Sequence, residues 1–243
     1  MPEGPSIVIL KEEAQIFKGK KILEVSGNSK LDIQRLSGQT IIDLKSFGKQ
    51  FLVCFKTFTV RIHFMLYGSY RINEEKDAPP RLSLRFKNGT FSFYACSVKF
   101  IEENLDEVYD WTADVMSDLW DERAALKKLK AIPETLICDA LLDQQIFAGV
   151  GNIIKNEVLF RVKINPLSLV GAIPLKQLKL LIRETRIYCF QFLEWKKKFE
   201  LKKHWLAHTK KICPRDNVRF SFAYLGKTCR RSFYCNLCQV LYT

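Results

Sequence analysis

The chain has 243 residues, 47% of them hydrophobic and 18 of them Phe, enough to bury the core of one large domain or two ordinary ones. A net charge of +13, from 39 Lys and Arg against 26 Asp and Glu, points to a polyanionic partner: nucleic acid or an acidic membrane surface. No apolar run reaches the ~18–20 residues of a membrane span and no signal-peptide pattern opens the chain, so a cytoplasmic protein (bacterial cytosol or nucleoid) without membrane attachment is expected.

The chain opens Met1-Pro2-Glu3-Gly4-Pro5. An initiator Met before a small residue is usually removed, which would expose the secondary amine of Pro2 with a carboxylate beside it at Glu3. An α-amino group titrates near ~7.7–8.0, so it is a ready nucleophile at neutral pH. Taken alone, the stretch reads as a rigid lead-in to a helix, with Pro in the first turn. Over residues 4–18, Ile7, Leu10, Ala14 and Phe17 recur at helical spacing, and Gly19 is a suitable C-cap. Residues 20–101 then read as short strands, among them 40–44, 50–55, 59–65, 82–86 and 90–94. Asn88-Gly89 is expected to turn the last two into a hairpin. Many short strands after one helix predict a β-sandwich. The acidic, Trp-containing stretch 102–122 marks a domain boundary.

Beyond it the chain turns helical, over roughly 121–130, 134–147, 152–160 and 174–197. Ala148-Gly149-Val150-Gly151 splits the second from the third, as in a helix–turn–helix pair. Pro133 and Pro174 stand where first-turn prolines belong. Residues 193–212 contain no Gly or Pro and read as continued helix. The charge is uneven: residues 196–231 hold twelve Lys and Arg against two acids, a net +10.

Eight Cys in such a chain argue for free thiols and a metal site rather than disulfides. Cys54, Cys96, Cys138 and Cys189 lie in apolar runs and are expected in the core. Cys235-Asn236-Leu237-Cys238 is a C-x2-C pair, and Cys213-Pro214-Arg215-Asp216 has the outline of a second knuckle with Asp in place of Cys. Cys229 is a poor substitute: an extended run to Cys235 would cover roughly 20 Å at ~3.3 Å per residue. The expected site is one zinc ion on Cys213, Cys235 and Cys238 with Asp216 as fourth ligand; His208 is a further option, and a metal-free finger held by packing is the alternative. Between the knuckles, residues 224–234 read as a hairpin presenting Arg230 and Arg231, a device suited to phosphates.

Three stretches together resemble the formamidopyrimidine-DNA glycosylase/endonuclease VIII family of base-excision repair. Met1 to Pro5 looks like the endonuclease VIII branch. Asp143-Gln144-Gln145-Ile146-Phe147-Ala148-Gly149-Val150-Gly151-Asn152-Ile153 resembles the family's helix–two-turn–helix element. Arg230-Arg231-Ser232-Phe233-Tyr234-Cys235-Asn236-Leu237-Cys238-Gln239 resembles its zinc finger. The resemblance implies an α+β chain: an N-terminal helix and β-sandwich catalytic domain (1–115), a helix–two-turn–helix domain (116–212) and a zinc-finger-like β-hairpin (213–243). Asp216 departs from the family pattern and puts zinc loading in question more than the fold.

The resemblance also implies an activity. The Pro2 amine would attack C1′ of a damaged nucleotide and Glu3 would act as general acid on the sugar ring oxygen. Elimination at both phosphates would then cut the strand. Lys49, in a Gly-Lys turn, would contact phosphate and assist. Asn152, at a helix N-terminus, and Arg230 would hold phosphates, with Arg231 beside it at a position the family usually fills with a small or apolar residue. Met65-Leu66-Tyr67 would fill the hole left by the flipped nucleotide, although a core strand would suit Met65 and Leu66 equally. Without a capping loop after the last helix, oxidised pyrimidines and abasic sites are the expected lesions. The expected partner is damaged double-stranded DNA, bound by a monomer. Two other classes compete: a non-catalytic DNA-binding protein of the same fold, and an RNA-associated zinc-ribbon protein, which explains the charge but not the Gly-Val-Gly-Asn helix pair.

Overall fold

The computed structural model describes residues 2–243. They form two compact units, divided between Tyr109 and Asp110. The division falls six residues before the expected boundary.

In the first unit, helix α1 (Gly4–Glu13) continues as a 3-10 turn over Ala14–Phe17. The anticipated apolar line is its buried face: Ile7, Leu10, Ala14 and Phe17 are each at most 1% exposed. Gly19 closes it at φ 75, which glycine adopts without steric cost. Six strands follow: β1 (Glu24–Ser26), β2 (Asp43–Phe47), β3 (Gln50–Cys54), β4 (Thr59–Ile72), β5 (Leu82–Phe86) and β6 (Gly89–Ile101). All pair antiparallel in the order β1-β5-β6-β4-β3-β2. β4, with 14 residues, is twice as long as its apolar pattern indicated, and β6, with 13, is more than twice as long.

Those two long strands make the sandwich. The first half of β4 pairs with the end of β6 (Thr59↔Ile101 to Phe64↔Cys96), and its second half with the start of β6 (Ser69↔Tyr94 to Ile72↔Phe91). The register breaks between Phe64 and Ser69, and opposite the break Ala95 takes φ 46. A bulge of this kind bends a strand sharply. One continuous sheet thereby forms two layers around a common core, with Val53, Val60, Ile62 and Val98 on one side and Leu82, Leu84, Phe91 and Phe93 on the other. The β5–β6 hairpin forms as expected, but its turn centres on Lys87-Asn88, and only Gly89 takes positive φ.

A one-turn helix α2 (Leu105–Val108) ends the first unit; the second holds α3 (Glu122–Lys130), α4 (Ile137–Ala140), α5 (Asn152–Arg161) and the long α6 (Leu175–Lys197). Asp121 caps α3 by accepting the Arg123 and Ala124 amides at 2.7 and 3.2 Å. The helix expected over 134–147 is only the single turn α4. Beyond it, polar side chains compete with the backbone ladder. Asp143 accepts the Gln145 amide at 2.8 Å, and Gln144 accepts the Gly149 amide at 3.1 Å while donating to the Leu142 and Val150 carbonyls. The result is two turns between α4 and α5.

Residues 193–212 are not continued helix. α6 stops at Lys197, where Phe199 takes φ 58 and the Phe199 and Glu200 amides return to the Lys196 and Trp195 carbonyls. A left-handed residue beyond a helix end redirects the chain. A 3-10 turn over Leu201–His204 then brings His204 onto Trp195, with ring centroids 4.2 Å apart and nearly parallel. The last element is the hairpin of β7 (Ser221–Leu225) and β8 (Arg230–Tyr234). It does not stand apart as the expected 213–243 domain. Phe160 of α5 shares one buried cluster with Ala207, Cys213, Phe220 and Cys235, packs edge-on against Phe220 at 5.4 Å, and lies under the Arg215 guanidinium at 3.7 Å.

Candidate nucleic-acid and catalytic site

Pro2 precedes α1 and is partly buried. Glu3 is the N-cap residue of that helix, is 1% exposed, and accepts the Ser6 amide at 2.8 Å through its carbonyl. Charged side chains are almost never so buried unless paired. The expectation concerning Met1 lies outside the described residues. Lys49 occupies the second position of the two-residue turn joining β2 to β3, after Gly48 at φ 52. Gly at the first central position suits a tight hairpin turn. Across β3, His63 pairs with Gln50, and its side chain engages the Lys49 backbone. Burial is the largest influence on His63 and lowers its pKa, which favours a neutral ring.

Met65, Leu66 and Tyr67 fill the register break of β4. They are 57%, 53% and 85% exposed, so none is a core strand residue. Gly68 permits the bulge: a Cβ there would lie 2.7 Å from the Ala95 carbonyl oxygen and from Phe64 Cβ.

In the second unit, Asn152 is the first residue of α5 rather than its cap, which is Gly151. Its Nδ2 donates to the Arg231 carbonyl at 3.0 Å, and its Oδ1 is buried without a hydrogen-bond partner. Arg230 and Arg231 open β8 and both are exposed. The Arg231 guanidinium lies over the rings of Phe222 and Phe233, at 4.5 and 4.8 Å. Such stacking uses its cation partly for the hairpin itself.

Three residues unremarked in the sequence, Lys155, Asn156 and Asp139, hold this hairpin, and a fourth, Glu157, holds the connection that leads to it. The buried Lys155 donates to Ser232 Oγ at 2.7 Å. Asn156 accepts the Phe233 amide at 3.0 Å. Glu157, fully buried, accepts the amides of Leu206, Ala207 and His208 at 2.8, 2.9 and 2.7 Å. Burial pushes the Glu157 carboxyl up, against the pull of those three amides. Asp139 of α4 binds the hairpin turn. A signal was available: Lys155, Asn156 and Glu157 interrupt an otherwise apolar stretch, Ile153-Ile154 before them and Val158-Leu159-Phe160 after, and a helix apolar on most sides is expected to be buried.

At the hairpin base, Cys213 Sγ, an Asp216 carboxylate oxygen, Cys235 Sγ and Cys238 Sγ lie within 4.8 Å of one another and could hold a metal ion. The Asp216 oxygen is 3.3 Å from Cys213 Sγ and 3.1 Å from Cys235 Sγ, and Cys213 Sγ is 3.8 Å from Cys238 Sγ. Zn–S bonds of about 2.3 Å in a tetrahedron place sulfurs about 3.8 Å apart, so the donors fit that ion. Cys229 is exposed at the far end of β8, and His208 Nδ1 lies 3.2 Å from Asn156 Nδ2; neither joins the cluster. Cys54, Cys96, Cys138 and Cys189 are all buried.

Residues 1–100 match the model of the formamidopyrimidine-DNA glycosylase N-terminal domain, and residues 113–194 match that of the formamidopyrimidine-DNA glycosylase H2TH domain. The chain belongs to the formamidopyrimidine-DNA glycosylase/endonuclease VIII family. Endonuclease 8-like 3 of Xenopus laevis is 28% identical over 233 residues, covering 90% of this family member and 38% of that protein. Endonuclease 8-like 2 of Bos taurus is 33% identical over 196 residues, covering 74% and 58% respectively. The chain thus spans well under two thirds of the curated relatives it matches. Among solved structures, a viral DNA glycosylase superposes with a TM-score of 0.85 at 21% identity, over 98% of this chain and all of that one. A Lactococcus lactis formamidopyrimidine-DNA glycosylase, non-covalently bound to DNA containing an abasic site, gives 0.86 at 19%, over 98% and 99%. Both show that the fold is shared.

Proposed function

We propose that this family member is a DNA glycosylase and abasic-site lyase that acts on oxidised bases, preferentially pyrimidines, in double-stranded DNA. The observation that carries the reading is Glu3, a carboxylate 1% exposed and next to the N-terminal proline of the family's catalytic domain. A carboxylate held in the interior beside a proline amine suits proton transfer next to a nucleophile.

The Pro2 nitrogen, once free, attacks C1′ as the glycosidic bond breaks and the base departs with a proton. Glu3 protonates the sugar ring oxygen as the ring opens, and the nitrogen and C1′ share an iminium bond. The iminium acidifies C2′–H. Loss of that proton expels the 3′ phosphate, and a second elimination expels the 5′ phosphate. Water then hydrolyses the iminium and releases Pro2.

Lys49 at its turn, and Asn152, Arg230 and Arg231, supply cations and donors for the phosphates around the lesion. Taking a nucleotide out of the stack costs a few kcal/mol, and the exposed Met65-Leu66-Tyr67 bulge supplies apolar groups to occupy the gap. The Cys213, Asp216, Cys235 and Cys238 cluster would hold one zinc ion, whose contribution is to fold the hairpin base. The protein acts as a monomer in the cytoplasm. The short 198–212 connection after α6, already engaged with Trp195 and Glu157, leaves little chain to cap a bulky purine and favours pyrimidine lesions.

Incubation with abasic-site DNA and borohydride tests the reading. A trapped covalent adduct is expected, and it should disappear when Met1 is retained. No adduct from protein whose free Pro2 terminus has been verified by mass spectrometry would leave a DNA-binding protein only. A panel of thymine glycol, dihydrouracil and 8-oxoguanine duplexes tests the lesion preference, which fails if 8-oxoguanine is cut best.

A further inference from the structure

The turn leading to Arg230 is shaped by a carboxylate from outside the hairpin. Asp139 accepts the Lys227 amide at 2.8 Å, the Thr228 amide at 3.2 Å and the Thr228 hydroxyl at 2.9 Å. Gly226, at φ 69, packs so closely on the same group that a Cβ would lie 2.2 Å from its oxygen. Asp139 is the third residue of α4, where an acid commonly reaches back to its own helix terminus. Here it faces the hairpin instead. The same turn holds Cys229 at φ 48, a left-handed conformation that a non-glycine residue keeps only when its surroundings impose it. Arg230 follows immediately.

We propose that Asp139 is a positioning residue for the DNA-gripping arginine: by clamping residues 226–228 it fixes Cys229 in its left-handed conformation and sets the direction in which Arg230 leaves the strand. This rests on the reading of Arg230 as a phosphate contact. Its sign is distinctive. Removing a negative charge from a DNA-binding protein should by itself tighten binding to a polyanion. Loss of a positioning acid weakens it instead.

The test is a double-mutant cycle on the full chain, bound to a duplex carrying a stable abasic-site analogue over a range of salt. Arg230→Ala should weaken binding on the order of tenfold and reduce the slope of log K against log salt by about 1. Asp139→Ala should reproduce both changes, the double variant should lose nothing further, and Asp139→Asn, which keeps one acceptor oxygen, should recover part of the loss. Additive losses, or tighter binding by Asp139→Ala, would overturn the proposal. If circular dichroism shows Asp139→Ala unfolded, Gly226→Ala takes its place in the cycle, pressing on the carboxylate from the hairpin side. An unchanged slope in Arg230→Ala would instead remove the phosphate contact on which the inference rests, a distinct outcome.

Discussion

The Asn156 side chain pairs with β8 as a neighbouring strand would. Its Oδ1 accepts the Phe233 amide at 3.0 Å and its Nδ2 donates toward the Arg231 carbonyl at 3.3 Å. Residues 231 and 233 share one edge of β8, the edge that β7 does not cover. Two side-chain amides on α5, Asn156 and the Asn152 that shares the Arg231 carbonyl, therefore close the open side of a two-stranded sheet, where unpaired groups would otherwise remain. Asn156→Ala should destabilise the protein by about 1–3 kcal/mol, because the buried Phe233 amide loses its acceptor while the Arg231 carbonyl keeps Asn152. Urea unfolding should show a lower midpoint at unchanged slope. An unaltered midpoint would mean that water replaces the amide without loss.

The chemistry predicts a graded response at Glu3. General acid–base groups typically contribute about 10²–10⁴-fold to rate. Glu3→Gln should lower single-turnover excision by that order while duplex binding stays near the wild-type value. Full excision activity in Glu3→Gln would exclude the proposed proton transfer.

Tyr67 is 85% exposed, so Tyr67→Ala should leave thermal stability unchanged. If the bulge fills the helix, excision of a paired, damaged base should fall on the order of tenfold, from the loss of roughly 1–3 kcal/mol of base stacking. Strand cleavage at an abasic site should fall less, since no base remains there to be extruded. Equal losses on the two substrates would argue against the wedge.

The cluster at the hairpin base predicts one zinc ion per chain by elemental analysis. Asp216→Cys should retain the ion and Asp216→Ala should bind it more weakly, with a lower melting temperature that added zinc restores. Stability unaffected by chelation, in protein purified without zinc, would mark a finger held by packing alone.

His208 gives a pH dependence. Burial, with the nearby charges of Lys155 and Arg231 acting in the same sense, lowers its pKa to about 4 from an ordinary 6.5. The unfolded chain therefore binds a proton that the folded chain rejects. Stability from this group is complete above pH 6.5 and declines as pH falls toward 4, by up to about 3 kcal/mol. His208→Gln should flatten the pH profile of the melting temperature across that window. An unchanged slope would assign the acid sensitivity to other groups.

Much of the architecture could be read from local pattern. The helix over 4–18 and the strands 50–55, 59–65 and 82–86 announced themselves by apolar spacing, and the cysteine knuckles by their intervals. Features set by distant contacts were not legible. The strand 90–94 runs on to Ile101 because β4 pairs with it across the whole bend. The helix over 134–147 is cut short by Asp143 and Gln144, whose propensities permit helix but whose side chains found turn amides. Phe199 ends α6 without Gly or Pro. At the site, motif residues such as Asn152 and Arg230 could be named individually, but Asp139, Lys155, Asn156 and Glu157 act on partners about 50 to 90 residues away. No short window contains both halves of such a pair.

Phe160 gives the finger a dependence on a residue more than fifty positions upstream. Cut out alone, residues 213–243 would leave Phe220 without its ring partner and Arg215 without the surface it stacks on. A chimera that borrows a finger from a relative must therefore borrow the facing side of α5 too. In this chain the unit that folds is the helix together with its hairpin.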